Sequence, residues 1–158
     1  MARTKLQKLQ WMLRLLGWFK IPLIAFLRPK IVFFSDEEVK LKIRLRRRTK
    51  NHLQSMYFGA LAVGADVAAG LHVFSFCSDQ QLKFSFAFKG MNAQFLKRAE
   101  SDVTFYCHAG EQIKALVLEA KNTGERINKE VQILAYDQNQ ELIAIFDMMI
   151  SLKVYTAK

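Results

Sequence analysis

Between Met56 and Cys77 the chain reads "MYFGALAVGADVAAGLHVFSFC", almost wholly apolar or small, with a single carboxylate, Asp66, in the middle. No alternating pattern survives "GALAVGADVAAG", so the segment is expected to be one long helix from about Ser55 to Phe76. A helix apolar on every side must be enclosed by protein or by lipid. Crossing a membrane would place Asp66 near the bilayer centre at a cost of roughly 2.5–3.5 kcal/mol on insertion scales. Gly59, Ala60, Gly64, Ala65, Ala68, Ala69 and Gly70 instead suit close packing against a backbone or sheet. The expectation is a buried helix in a soluble domain.

At 158 residues the chain is long enough to bury a substantial core, and one domain is expected. The two cysteines, Cys77 and Cys107, form no CxxC pair, and His52, His72 and His108 form no HxH or HExxH pattern. Neither a metal centre nor a disulfide scaffold is indicated, and the usage fits a reducing, cytoplasmic setting. Nor does any Gly-rich phosphate loop or cofactor motif occur. The net charge of +10 is confined to the first third: residues 1–50 hold 14 Lys/Arg against 3 acids, or +11, whereas residues 51–158 hold 10 against 11, or −1. A partner read from charge is therefore a partner of that third.

Leu6, Leu9, Leu13 and Leu16 recur at helical spacing within "MARTKLQKLQWMLRLLGWF", with Lys5, Lys8 and Arg14 elsewhere. Arg14 and Lys20 interrupt the apolar run, which disfavours a signal peptide, and Ile21–Leu27 is too short to span a bilayer. Three readings stand: a helix packed on the domain, a helix on an anionic membrane surface with Trp11, Trp18 and Phe19 at the interface, or a mitochondrial transit segment. Pro22 and Pro29 punctuate the connection to "VKLKIRLRRRTK", where Leu41, Ile43 and Leu45 alternate with Lys40, Lys42, Arg44 and Arg46. This predicts a half-buried strand with a basic outer face. That face suits solvent, a phosphate-bearing ligand such as coenzyme A, or nucleic acid, the last disfavoured because no aromatic residues interleave to stack bases.

After the long helix the strand pattern returns. "LKFSFAFKG" puts Leu82, Phe84, Phe86 and Phe88 on one face, and Gly90 marks a bulge before "MNAQFLKRA". "SDVTFYCHA" is a further strand. "GEQIKALVLEAKNTG" is a helix ending at Gly124, and "NKEVQILAYD" with "ELIAIFDMMISLKVY" forms a hairpin around "DQNQE". The class is α+β, an antiparallel sheet curled around a long central helix, with residues 1–35 as a basic amphipathic helical extension and 36–158 as the main domain.

Asn51, Gly59 within "YFGAL", and Asp66 within "GADVAAG" resemble the hotdog-fold acyl-CoA thioesterases of the phenylacetate-pathway type. Their pattern is an Asn, a His-Gly-Gly six residues on, and an Asp nine residues after that His. Asn51, Tyr57 and Asp66 reproduce both spacings, and the stretch "IPLIAFLRPKIVFFSDEEVKLKIRLRRRTKN" resembles an uncharacterised branch with a helical N-terminus. The resemblance, over roughly residues 20–155, implies hydrolysis of an acyl-CoA or acyl-carrier thioester, without cofactor or metal, at a site shared between two subunits of a homodimer or dimer of dimers.

It further implies that the backbone N–H groups of Phe58 and Gly59 hold the thioester carbonyl oxygen. Asp66, facing from the other subunit, would act as general base or nucleophile, and Asn51 would orient water or thioester. Burial should raise the Asp66 pKa. The sequence departs from the pattern at Tyr57, which replaces His, and at Phe58, which replaces the first Gly. Tyr57 can still donate its hydroxyl to a carbonyl, and Phe58 still has an N–H, though its bulk narrows the approach. Other uses stay open: Asp66 as a ligand-binding or structural carboxylate, Asn51 as a turn former, and Phe84 and Phe86 as either acyl-pocket lining or core. Without turnover the chain would be an acyl-binding protein, and through residues 1–35 a peripheral membrane contact is a further expectation.

Overall fold

The leucine periodicity near the N-terminus does form a helix. In the computed structural model, which describes residues 4–155, α1 runs Lys5–Phe19. Thr4 and Gln7 satisfy each other's free backbone N–H groups, a reciprocal cap with contacts of 3.3 and 3.1 Å. Leu9 and Leu13 are buried, and Lys5 Nζ bridges Asp36 and Asp79 at 3.1 and 3.0 Å. The stretch expected to be a plain connection contains a second helix, α2 (Pro22–Leu27), started by Pro22 and ended by Arg28 in the left-handed region.

A strand with no alternating sequence signal, β1 (Lys30–Phe34), pairs antiparallel with β2 (Val39–Ile43). Val39, Leu41 and Ile43 are buried as the alternation requires. However, β2 stops at Ile43 instead of running on through Arg46. The Leu45 N–H donates to Asp102 Oδ1 at 2.9 Å and the Arg46 N–H to Thr49 Oγ1 at 2.8 Å, which diverts the backbone into a short 3₁₀ turn, Arg47–Thr49.

The long helix α3 spans Phe58–Asp79, starting and ending about three residues later than the apolar pattern suggests. Its start is delayed because Met56 N–H is bound to Ala99 and Tyr57 N–H to Thr49, both at 2.7 Å. Although α3 is long and apolar enough to cross a bilayer, most of it is buried by the rest of the fold. Beyond it come β3 (Lys83–Phe95), β4 (Val103–Cys107), α4 (Gly110–Thr123), β5 (Arg126–Tyr136) and β6 (Leu142–Tyr155). The six strands form one antiparallel sheet in the order β1-β2-β4-β5-β6-β3. It curls around α3, with α4 packed against α3, β5 and β6. Phe105, Phe146, Ile133 and Ile150 fill the space between them. This is the hotdog arrangement, an antiparallel sheet wrapped on a central helix, preceded by a helical extension.

The expected bulge is present: Phe88 faces Ile150 and Gly90 faces Met149, so Lys89 is the extra residue. Gly124 ends α4 at φ +68° with nothing near its Cα that a methyl would touch. The cost of a side chain there is purely conformational. Gly124→Ala is expected to destabilise the fold by about 1 kcal/mol, read from the urea midpoint at unchanged slope.

The two sheet edges differ. On the β1 side, Gln10 of α1 accepts from the Ile31 N–H at 2.7 Å and donates to Pro29 O at 3.3 Å, covering a strand of only five residues. On the other side β3, thirteen residues long, has no neighbour beyond β6 among the described residues and is largely exposed.

Candidate functional site

Asp66 sits on the face of α3 that looks toward the open edge of the sheet. Its carboxylate lines a shallow cleft of about 430 Å³ shared with Ala62, Val63, Phe88, Lys89, Gly90, Met91 and Met148. The β3 bulge forms one wall. Among the described residues no side chain or backbone group hydrogen-bonds the carboxylate. Loss of water around it pushes its pKa from 3.8 up to about 6. A general base for neutral pH requires such a value, and burial alone supplies it.

At the start of the same helix, Tyr57 is the residue before the first turn and offers no side-chain cap. Its carbonyl accepts from the Ala60 and Leu61 N–H groups at 2.9 and 3.2 Å, while the N–H groups of Phe58 and Gly59 find no acceptor among the described residues. Both point outward at the positive end of the helix dipole, where a developing oxyanion is favoured. Phe58 is 59% and Tyr57 48% exposed, and their rings lie 4.7 Å apart. The Tyr57 ring leans over Gly59, occupying the space a side chain there would need.

Asp66 lies seven positions beyond Gly59, about 10 Å along the helix. Within one chain the carboxylate and these N–H groups thus lie about two turns apart along α3. Asn51 lies upstream, where its Oδ1 accepts from Leu53 N–H (2.9 Å), Ser55 N–H (3.2 Å) and Ser55 Oγ (3.2 Å). That oxygen shapes the loop leading into α3, leaving the Nδ2 amide as the group able to face a substrate. Of the phenylalanines on β3, Phe88 lines the Asp66 cleft. Phe84 and Phe86 pack edge-on against Phe74, at 5.4 and 5.7 Å, further along α3; neither lines the cleft, though Phe86 meets the cleft-lining Phe88 edge-on at 5.0 Å. Sequence reasoning missed Met91 and Met148. The register that sets Met91 opposite Met148 beside the bulge appears only once β3 and β6 are paired.

Other reactive groups are occupied elsewhere. Cys77 and Cys107 are buried, and burial raises both thiols to about 11, unsuited to nucleophilic work. His72 is fully buried between Phe34 and Phe76 with Nε2 3.0 Å from Ser35 O, a contact that requires the proton on Nε2. Burial lowers its pKa and keeps it neutral. Among the described residues no three His, Cys, Asp or Glu side chains cluster to hold a metal ion.

Residues 10–154 match the model of a domain of unknown function, DUF4442. The chain belongs to the DUF4442 family. No curated protein matches it. Among solved structures, this DUF4442 domain is similar to a Chlorobaculum tepidum protein of unknown function, with a TM-score of 0.81 and 13% identity over 96% of this chain and 97% of that one. A Haemophilus influenzae thioesterase aligns with a TM-score of 0.67 and 13% identity, over 99% of this chain and 95% of that one. A Pseudomonas aeruginosa protein of unknown function gives a TM-score of 0.74 and 23% identity, over 92% and 95%. At such identities the likeness establishes the hotdog fold.

Proposed function

We propose that this DUF4442 domain hydrolyses the thioester of an acyl-CoA or acyl-carrier substrate at a site completed by a second copy of the chain. The observation that carries this reading is the unpartnered, desolvated Asp66 carboxylate opening onto a cleft at the free sheet edge. The unoccupied N–H groups of Phe58 and Gly59 lie two turns away on the same helix. Two copies joined through β3 set the carboxylate of one beside the helix start of the other. The thioesterase described for Haemophilus influenzae, which shares the fold, points the same way.

In that arrangement Asp66 takes a proton from water as the hydroxide adds to the thioester carbonyl carbon. The oxygen, now anionic, is held by the N–H groups of Phe58 and Gly59. Collapse of the tetrahedral adduct breaks the C–S bond, and the departing thiolate recovers the proton from Asp66. Direct attack by the carboxylate, giving an anhydride that water then opens, uses the same groups. The Asn51 amide and the Tyr57 hydroxyl, from the segment leading into α3, serve as further donors toward the substrate. Phe88, Met91 and Met148 offer the acyl chain an apolar wall.

Thiol release across a panel of acyl-CoA chain lengths tests the proposal. The active form of Asp66 is the anion, so the rate is expected to fall about tenfold per pH unit below a midpoint near 6 and to level off above it. No release from any substrate rejects hydrolysis, and release with a flat profile across that range removes Asp66 as its base. Tyr57 and Phe58, which replace the motif's His and Gly, favour one other outcome: an acyl ligand retained without turnover, visible by native mass spectrometry of the purified protein.

A further inference from the structure

A second concave surface lies on the opposite flank from the Asp66 cleft. It is a groove of about 1630 Å³ between the α1–α2 pair and the β1–β2 side of the sheet. Its lining residues include eight lysines and arginines and no acid. One of the eight, Lys42, is ion-paired with Asp102 at 3.4 Å. Arg48 is fixed against Phe26, with its guanidinium 5.4 Å from the ring centre and Nη1 donating to Phe26 O at 3.0 Å. Arg14 and Arg47 make no ion pair among the described residues. The groove is also aromatic. Trp11 and Trp18 meet edge-on at 6.2 Å on its helical wall, beside Phe26. The basic run that lacks aromatics in sequence receives them in space from the helices.

At the end of this groove α1 turns into α2, and the turn is built of large apolar residues facing water. Trp18 is 60%, Phe19 75%, Ile21 43% and Leu23 54% exposed. Lys20 stands among them, and no acid precedes Asp36 in the chain. A small phosphate ligand would account for the arginines but leave this apolar corner unexplained. A partner that offers a layer of anionic phosphates over hydrocarbon accounts for both.

We infer that the α1–α2 corner and the basic groove beside it form a docking surface for an anionic phospholipid bilayer. Trp18, Phe19, Ile21 and Leu23 enter the acyl boundary while the arginines of the groove take the headgroup phosphates. Each basic residue held near an anionic surface strengthens binding about fivefold, and the apolar corner adds a contribution that salt does not screen. The surface is independent of the thioesterase reading, because none of its residues belongs to the Asp66 cleft.

The chain's only two tryptophans, Trp11 and Trp18, both lie here, so tryptophan fluorescence reports on this surface alone. The full chain is titrated with vesicles of phosphatidylcholine containing about 30% phosphatidylglycerol, and with phosphatidylcholine alone, at low and high salt. A blue shift and co-sedimentation with the anionic vesicles are expected, weakened about tenfold or more on zwitterionic vesicles. Phe19→Ser/Leu23→Ser alters only exposed side chains and is expected to lose the blue shift. Arg14→Glu/Arg47→Glu is expected to weaken binding about tenfold or more at low salt. Absence of binding to anionic vesicles at low salt overturns the inference, as does undiminished binding by the Phe19→Ser/Leu23→Ser variant. Binding to duplex DNA or to an acidic protein in place of vesicles also overturns it.

Discussion

Asp66→Asn is expected to abolish thioester hydrolysis and, at the same time, to make the protein more stable. The loss of rate should reach about 10³-fold, since the amide can neither accept the water proton nor attack the carbonyl. The gain in stability follows from the raised pKa. Folded, the carboxyl titrates near 6; unfolded, near its ordinary 3.8. Between those values the folded chain holds a proton that the unfolded chain has released, so stability falls as pH rises through this window. Above about pH 6 the full penalty applies, up to about 3 kcal/mol for a shift of this size. An asparagine is neutral throughout. The variant and the parent should therefore unfold at similar denaturant concentrations at pH 4 and diverge toward pH 7, with the variant the more resistant. Retained turnover would remove Asp66 from the chemistry. A destabilised variant at pH 7 would show that the carboxylate anion has a stabilising partner in the assembled protein.

The second large effect concerns Gly64. Its Cα faces the ring of Phe105 so closely that an added methyl would lie on the ring itself. Phe105 is fully buried and contacts Phe146 at 6.4 Å between ring centres, so it has nowhere to turn. Gly64→Ala improves local helix propensity by about 1 kcal/mol, yet the helix and sheet must separate to admit it. Overpacking of this kind is expected to cost about 3 kcal/mol or more net, lowering Tm by roughly 6–12 °C in a chain of this size. Gly70, in the same helix, meets the edge of the Phe86 ring at 3.4 Å, and Gly70→Ala should be far milder. A thermal melt of the two variants side by side separates the positions. Equal, small shifts would mean that the sheet does not approach α3 as described.

The central helix was legible because its residues leave no alternative: an apolar surface on every side with small residues along it needs a sheet around it. The strands β3 to β6 and the helix between β4 and β5 were equally legible, since alternation and helical periodicity are strong there and Gly124 marks a stop. What escaped was set by contacts distant in sequence. β1 carries "KIVFF" without alternation and becomes a strand because β2 and Gln10 take its backbone groups. β2 ends early because Asp102, far along the chain, captures the Leu45 N–H. At the candidate site, Asp66 announced itself as the lone acid in an apolar helix. Its neighbours Met91 and Met148 did not, because a bulge and a strand register choose them. Phe84 and Phe86 share the sequence pattern of Phe88, and only the crossing of α3 under β3 decides which ring stands beside the carboxylate.

The unequal ends of the sheet limit how copies of this chain can add to one another. Extension into a fibril by strand addition needs two receptive margins on every molecule, one to accept and one to offer. Here α1 occupies one margin through Gln10, and that strand is short. A single receptive margin remains, and a surface that meets only its own kind is spent once two molecules have met. Any pairing of copies through the β3 margin would therefore end at two molecules, with the helical extension closing the other side.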